Sequence, residues 1–550
     1  AALGLVLYRL GADSGPVFLW EHENIQGLSL LSLSEEPVSR RLVEYLRWSD
    51  APLAGGHTSA IFGLPSLAIC KNIVASLWSI RIVSALAFLG AAALLFAFVR
   101  RAYGSTCAVI AASLLVFNEV VIAYGRYAGA PAASLCVLLA ALVLCARLVR
   151  RSEALCAVLA AGTLYATTLG YAAARVAVVA VAAATLLGLL LNSSQRLLRR
   201  VVAGGAFVAV LAGVVAWQAS MGSLEALLQA RSEQFFYMVT EGGFPLELEE
   251  TEVAPLLSNR NPTAVERLRL AWALIREVTG IQFARGVSHW SAADDDVPVG
   301  GPFVDRPSGM SLLGCLSLPF LFLGIFRSFR TRPLWPSLAL LGWFGLNTGA
   351  LLLTNRIDVH RQFFLIVPLV VWTALGATEW LGAMRRASRS LGVVALVAAA
   401  FLPCVLAPRW LEPLQHTTDE EPEVQSVRTL LSEQPGTLLV IADLSRGEES
   451  RIRIGLIDRL RSSGRRGQVG DSGYRSGLAD ESFTSMQPLF GNVKNALAAG
   501  ETVVLIPAER YSQLTAALKS EGVTVSQAPA GKLTVAVLTK GEGAGLAPGS

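Results

Sequence analysis

Long apolar runs alternate with short polar breaks along most of this chain, and every second break carries a cluster of arginines. Runs near 82–99, 105–123, 128–146, 154–172, 174–191, 201–217, 308–326, 335–353, 363–383 and 391–408 are each close to the roughly 20 residues that cross a bilayer. They predict ten transmembrane helices. Ala1 to Tyr8 reads as the end of an eleventh, because it is apolar but too short to cross and the chain opens without methionine. A preceding segment is therefore expected.

The arginine clusters fix an orientation. They are Arg100 and Arg101; Arg147, Arg150 and Arg151; Arg196, Arg199 and Arg200; Arg327, Arg330 and Arg332; and Arg385, Arg386 and Arg389. Short cytoplasmic loops retain excess positive charge, so all five belong on one face of the membrane. The long and chemically varied connections then lie on the other face, at about 9–79, 125–128, 220–306, 354–361 and everything after Arg409. Function is to be sought there.

Composition agrees and removes other classes. At 550 residues, 53% hydrophobic and 16% charged, with a mean hydropathy of +0.52, the chain is too apolar for an ordinary soluble protein. The net charge of +5 does not mark a nucleic-acid protein, since topology already accounts for the arginines at the helix ends. All seven cysteines fall in apolar stretches without a CxxC pair, so neither a disulfide framework nor a zinc site is indicated. Arginine outnumbers lysine and alanine is abundant, which fits a GC-rich bacterial genome and hence a bacterial inner membrane.

The polar segments differ in kind. Residues 9–79 include an amphipathic piece, Val38 to Trp48, and an apolar run, Ser59 to Cys70, of the sort that lies flat in the interface. Residues 220–306 mix a helical pattern, Ala264 to Val278, with turn-rich polar pieces that could cover a site. Residues 1–408 thus form a transmembrane domain. Beyond it, strand-like runs at Thr437 to Ala442, Thr502 to Ile506 and Leu533 to Leu538 alternate with helical patterns at Glu423 to Leu431, Ile452 to Arg461 and Tyr511 to Ser520. This alternation predicts a soluble α/β domain over 409–540 on the exterior side. The Gly/Ala/Pro/Ser-rich tail, 541–550, reads as disordered.

Three groups carry candidate chemistry. Glu21, His22 and Glu23 follow Trp20 on the arginine-poor face, where a carboxylate would serve as general base on an acceptor hydroxyl; the bland alternative is a solvated connection. Asn118, Glu119 and Arg126 lie where one span ends and the next begins. Ionisable residues at membrane depth are costly, so Glu119 could hold an acceptor or a metal and Arg126 a phosphate; the bland alternative is an ion pair pinning two helices. Arg356, Asp358, His360 and Arg361 occupy a brief exterior turn, where positive-inside logic leaves the arginines unexplained. A lipid-linked phosphate would explain them, as would loose binding of headgroups. Arg175, beside Tyr171, is a weaker member of this set. Asp294, Asp295 and Asp296 offer oxygen ligands to a divalent cation, although such runs are commonly solvated loops. No motif demands a metal or other cofactor, and no GxSxG, HExxH or P-loop pattern occurs.

Four stretches together resemble the GT-C superfamily of polytopic glycosyltransferases, especially bacterial relatives of the dolichyl-phosphate-mannose protein mannosyltransferases and the lipid A aminoarabinose transferases. They are Tyr8 to Gly11 with Leu19 to Glu23; Arg81 to Leu86 running on to Arg100 and Arg101; Asn118 and Glu119 through Tyr124 to Tyr127; and Arg356 to Pro368. The likeness covers roughly 1–408. It implies a fold of about 11 transmembrane helices and a sugar taken from a polyprenyl-phosphate donor to a protein, lipid or glycan acceptor at the noncytoplasmic face. It also implies a base in the first exterior loop and arginines that hold the donor phosphate. By position Glu23 matches the family's glutamate, while His22 stands where an aspartate is expected.

The resulting expectation is an inverting transferase. Glu21 or Glu23 would act as base, Glu119 would align the acceptor or a divalent cation, and Arg126, Arg356 and Arg361 would grip the phosphate. His22, Asn118 and His360 would be substrate contacts. The competing reading keeps the fold and denies the reaction, leaving a lipid-linked-sugar binding or scaffold protein inactivated at His22. A transporter is a third reading, but the repeated halves with paired discontinuous helices that it would predict are not evident.

Overall fold

The computed structural model describes Leu7, Leu46 and residues 60–72, 77–126, 129–225, 317–331, 333–352, 363–387, 390, 429–430, 438–442, 467–471, 487–506, 508–530 and 533–541. The apolar runs are helices: α1 (Ala60–Asn72), α2 (Leu77–Tyr103), α3 (Ser105–Val116), α4 (Glu119–Arg126), α5 (Ala130–Arg151), α6 (Ala154–Thr168), α7 (Ala172–Leu191), α8 (Leu197–Ser220), α9 (Leu318–Arg330), α10 (Trp335–Leu352) and α11 (Ile366–Ala387). A 3-10 turn, Phe363–Leu365, leads into α11. Among the described residues five helical stretches are long and apolar enough to cross a bilayer: Arg81–Tyr103, Ala130–Arg151, Ala173–Leu191, Leu197–Ser220 and Phe363–Arg386. The runs expected at 1–8 and 391–408 lie outside the described residues.

Local sequence sets the helix boundaries. Gly104, at φ 100, turns the chain between α2 and α3 in a conformation that a side chain would strain. Pro131 sits in the first turn of α5, where its missing N–H costs nothing. The run read as a single span over 105–123 is in fact broken. Phe117 and Asn118 leave the helix, and Asn118 caps the next one: its Oδ1 accepts from Val121 N at 3.1 Å while its carbonyl accepts from Ile122 N at 2.9 Å. A competing local hydrogen bond of this kind favours a cap over a helix interior.

Burial ranks the helices. In the span on α11, 78% of the most apolar window is buried, against 17% for α8, so α11 is central and α8 peripheral. One continuous buried core includes Phe88, Phe98, Leu138, Leu142, Trp343 and Trp372. The exposed apolar side chains of α8, among them Leu198, Val201 and Val208, suit a hydrocarbon solvent.

Among the described residues, arginines from all five clusters gather at one end of the bundle. Tyr103, next to Arg101, meets Ser337 at 3.3 Å, and Ser337 donates to Ser328 O at 2.6 Å beside Arg327. Asn192 donates to Val149 O at 2.5 Å, bringing the end of α7 to Arg150 and Arg151. Arg200 closes the turn into α8 through Leu190 O at 2.8 Å. Arg327 pairs with Glu379 at 2.7 Å, which ties in the end of α11. The shared end is what the charge pattern predicted.

Helices α9 and α11 run parallel and very close. A Cβ on Gly324 would collide with the Trp372 carbonyl, and one on Gly376 with the Phe320 carbonyl. Small residues permit such approach where no hydrophobic force drives helices together.

From residue 438 onward a mixed five-stranded sheet forms, ordered β2-β1-β3-β5-β4. Strands β1 (Leu438–Ala442), β2 (Gly467–Asp471) and β3 (Thr502–Ile506) are parallel, and β4 (Val523–Ala530) and β5 (Leu533–Lys540) complete it antiparallel. Helices α12 (Gln487–Ala498) and α13 (Ser512–Ser520) pack Val493, Leu497, Leu514 and Leu518 against Val503, Leu505, Ala536 and Leu538. The sequence reading found β1, β3, β5 and α13 but not β2, β4 or α12.

Candidate functional site

The end of the bundle opposite the arginine clusters is assembled from short segments that hold one another by hydrogen bonds and ring contacts. Ser84 on α2 donates to Gly129 O at 3.1 Å and accepts from Gly129 N at 3.4 Å, fixing the start of α5. Ser134, one turn into α5, donates to Ala130 O at 2.7 Å and accepts from Tyr171 N at 2.7 Å, which fixes the α6–α7 turn. The Tyr171 ring stacks on Phe364 with centroids 6.0 Å apart, and Tyr124 on α4 meets Phe363 at 4.4 Å. The 3-10 turn before α11 is thereby seated between α4 and α7. Polar links within apolar surroundings do not compete with water, which makes each a fixed point.

The sequence-derived residues fall on this frame as follows. Glu119 is the first residue of α4 and Arg126 the last, so both belong to one helix, about 10 Å apart along its axis. The alternative reading, an ion pair pinning two helices, required the two residues to stand on different helices, and they stand on one. Asn118 is a helix cap. Arg175 lies at the same end, its Nε donating to Thr168 O at 2.9 Å across the α6–α7 turn. Arg361 lies outside the described residues, but Phe363, two positions on, touches Tyr124, two positions before Arg126. Glu21, His22, Glu23, Arg356, Asp358, His360 and the aspartates 294–296 also lie outside the described residues. Among the described residues no group of three or more His, Cys, Asp or Glu is placed to hold a metal ion.

The structure adds residues that the sequence reading passed over. Gln218, fully buried near the end of α8, donates to Leu46 O at 2.7 Å and to Tyr165 Oη at 2.9 Å, and Tyr165 Oη donates to Leu46 O at 2.9 Å. The Leu46 side chain packs with Leu64, Tyr165 and Leu169. One point of the first polar segment is thus docked on α6 and α8. A lone amide in an apolar span was the available signal. Arg81, in the second turn of α2, is also buried.

The chain as a whole shares its fold with solved membrane-enzyme structures. Over 98% of its length it matches solved structures of ArnT from Cupriavidus metallidurans. The apo structure matches with TM-score 0.53, 12% identity and 97% of that chain covered. The structure bound to undecaprenyl phosphate matches with TM-score 0.54, 10% identity and 96% covered. The oligosaccharyltransferase AglB from Archaeoglobus fulgidus, in complex with an inhibitory peptide and a dolichol-phosphate, matches at TM-score 0.45 and 13% identity, over 98% of this chain and 73% of that one. No protein-family model and no curated protein matches the sequence.

Proposed function

We propose that this protein is a glycosyltransferase that moves a sugar from a polyprenyl-phosphate donor to an acceptor at the noncytoplasmic face of a bacterial inner membrane, with inversion. The observation that carries the reading is the seating of the Phe363 turn between α4 and α7. It brings α4, which ends at Arg126, and the α6–α7 turn spanned by Arg175 to the end that positive-inside logic assigns to the exterior; Arg361 would join them there. The shared fold with an ArnT that binds undecaprenyl phosphate supports the choice of anion. Fixed guanidiniums stabilise the charge that grows on a departing phosphate. Glu21 or Glu23 would take the acceptor proton, Glu119 would align the acceptor or a divalent cation, and Arg356 would complete the phosphate grip. His22, Asn118 and His360 would line the substrate. The sheet beyond residue 438 would lie on the same exterior side.

The test is turnover in proteoliposomes supplied with a bacterial extract of polyprenyl-phosphate-linked sugars. Replacing both Glu21 and Glu23 with glutamine should lower the rate at least about 100-fold, the scale of general-base catalysis. A double variant that works as well as the wild type would sink the base assignment. His22, standing where the resemblance leads one to expect an aspartate, favours a second reading as a lipid-linked-sugar binding protein. That reading holds if the wild type binds the donor lipid and turns nothing over.

A further inference from the structure

We infer that the open edge of strand β4 is a pairing surface for a second copy of this chain, an inference that stands apart from the transferase reading. In the order β2-β1-β3-β5-β4, β4 comes last, so among the described residues it has a neighbour on one side only. Open edges are templates for further strands, and proteins blunt them with charge, proline or short length. At the other edge β2 has 5 residues and ends in an aspartate. The opening run of β4, Val523-Thr524-Val525-Ser526-Gln527, carries no charge and no proline. In an antiparallel pair alternate residues turn N–H and C=O toward the partner strand, and those between turn theirs away. Pro529, opposite Thr534 on β5, has no N–H to give, which suits an outward position. Val523, Val525 and Gln527 share its phase, so their main-chain groups point outward. An antiparallel copy centred on Val525 matches Val525 with its counterpart and Val523 with the partner's Gln527, and leaves Pro529 beyond the pairing.

Charge completes the match. Strands β3 and β4 are both antiparallel to β5 and hence parallel to each other. Helix α13, which joins them, therefore runs back along β4. That puts Glu509, in the 3-10 turn Ala508–Tyr511, by the end of β4, and Lys519, in the last turn of α13, by its start. Both line a groove of about 460 Å³ between α13 and the sheet, together with Ser512, Gln527 and Thr534. Neither makes an ion pair among the described residues. In the antiparallel arrangement the start of one β4 faces the end of the other, so Lys519 comes beside the partner's Glu509, and symmetry repeats the contact. The two-fold axis stands normal to the sheet, and two copies in one bilayer share it with the membrane normal.

The mass of the full chain in detergent is followed by light scattering across a dilution series for the wild type, Gln527→Pro, Glu509→Lys, Lys519→Glu and the double reversal. The wild type should be a dimer. Gln527→Pro removes an outward N–H from each copy and should weaken the dimer Kd at least about tenfold at unchanged Tm. Each single reversal should weaken it too, and the double reversal should restore it. In membranes, Thr524→Cys combined with Ser526→Cys places the two thiols opposite each other across the axis and should give an oxidised dimer. That cross-link, abolished by Gln527→Pro, upholds the pairing even where detergent separates the copies. A wild type monomeric in detergent whose double-cysteine variant gives no cross-link overturns the inference. A dimer indifferent to Gln527→Pro and to both single reversals uses another surface and overturns it equally. If Gln527→Pro does not fold, single reversals that leave Kd unchanged decide against the pairing.

Discussion

Asn118 shows how one side chain can be assigned by the bond it makes. Its Oδ1 caps α4, so Asn118→Ala should cost about 1 kcal/mol of stability and Asn118→Asp, which also caps, much less. Thermal unfolding of the two variants checks this; equal losses would remove the capping role. Gln218 carries a different load, since its amide holds Leu46 to the bundle. Gln218→Leu should raise hydrogen exchange around residue 46 and cost roughly 0.6–2 kcal/mol, the range for polar links between membrane helices. Exchange indistinguishable from the wild type would mean that the contact does not hold the segment. At this scale the sequence revealed which residue types matter and little of what each one does. Asn118 and Glu119 drew attention as ionisable or polar groups at membrane depth, yet an asparagine directly before an acidic first turn is equally the signature of a helix start. Hydropathy alone cannot distinguish the two, because the apolar run continues on both sides.

Among elements, the pair of α9 and α11 makes the sharpest claim. Gly324 and Gly376 let two backbones touch, and Arg327 to Glu379 adds an ion pair one turn on. The two contacts should contribute unequally. Gly376→Leu forces the helices apart and should destabilise by about 1–3 kcal/mol or prevent assembly. Glu379→Gln removes only a partly exposed pair and should cost under about 1 kcal/mol. Reversed magnitudes in unfolding measurements would show that charge rather than close packing joins these helices. Periodicity and length made the long helices legible, whereas a glycine contact depends on a partner distant in sequence and leaves no local trace. The edge strands were missed for a related reason: β2 is Gly467-Gln468-Val469-Gly470-Asp471, and β4 contains Pro529, neither resembling a buried strand.

For the molecule as a whole, the charge pattern was legible because it reports a sorting rule that acts on the chain itself. The candidate site was less so: Asn118, Glu119 and Arg126 stand on or beside one short helix, while Glu21, His22, Glu23, Arg356, His360 and Arg361 lie outside the described residues. If the arginine end is cytoplasmic, a cysteine at Ser194 should react with an impermeant thiol reagent only from the inside and one at Ser220 only from the outside. Labelling of both from the same side would invert or break the proposed topology. One consequence concerns biosynthesis. Two helices that run in the same direction cannot be made back to back, so α10 must cross before α11 can find α9. During that interval the glycine groove of α9 faces lipid unfilled, and a chain truncated within α10 would leave the ribosome with its most intimate helix contact unmade.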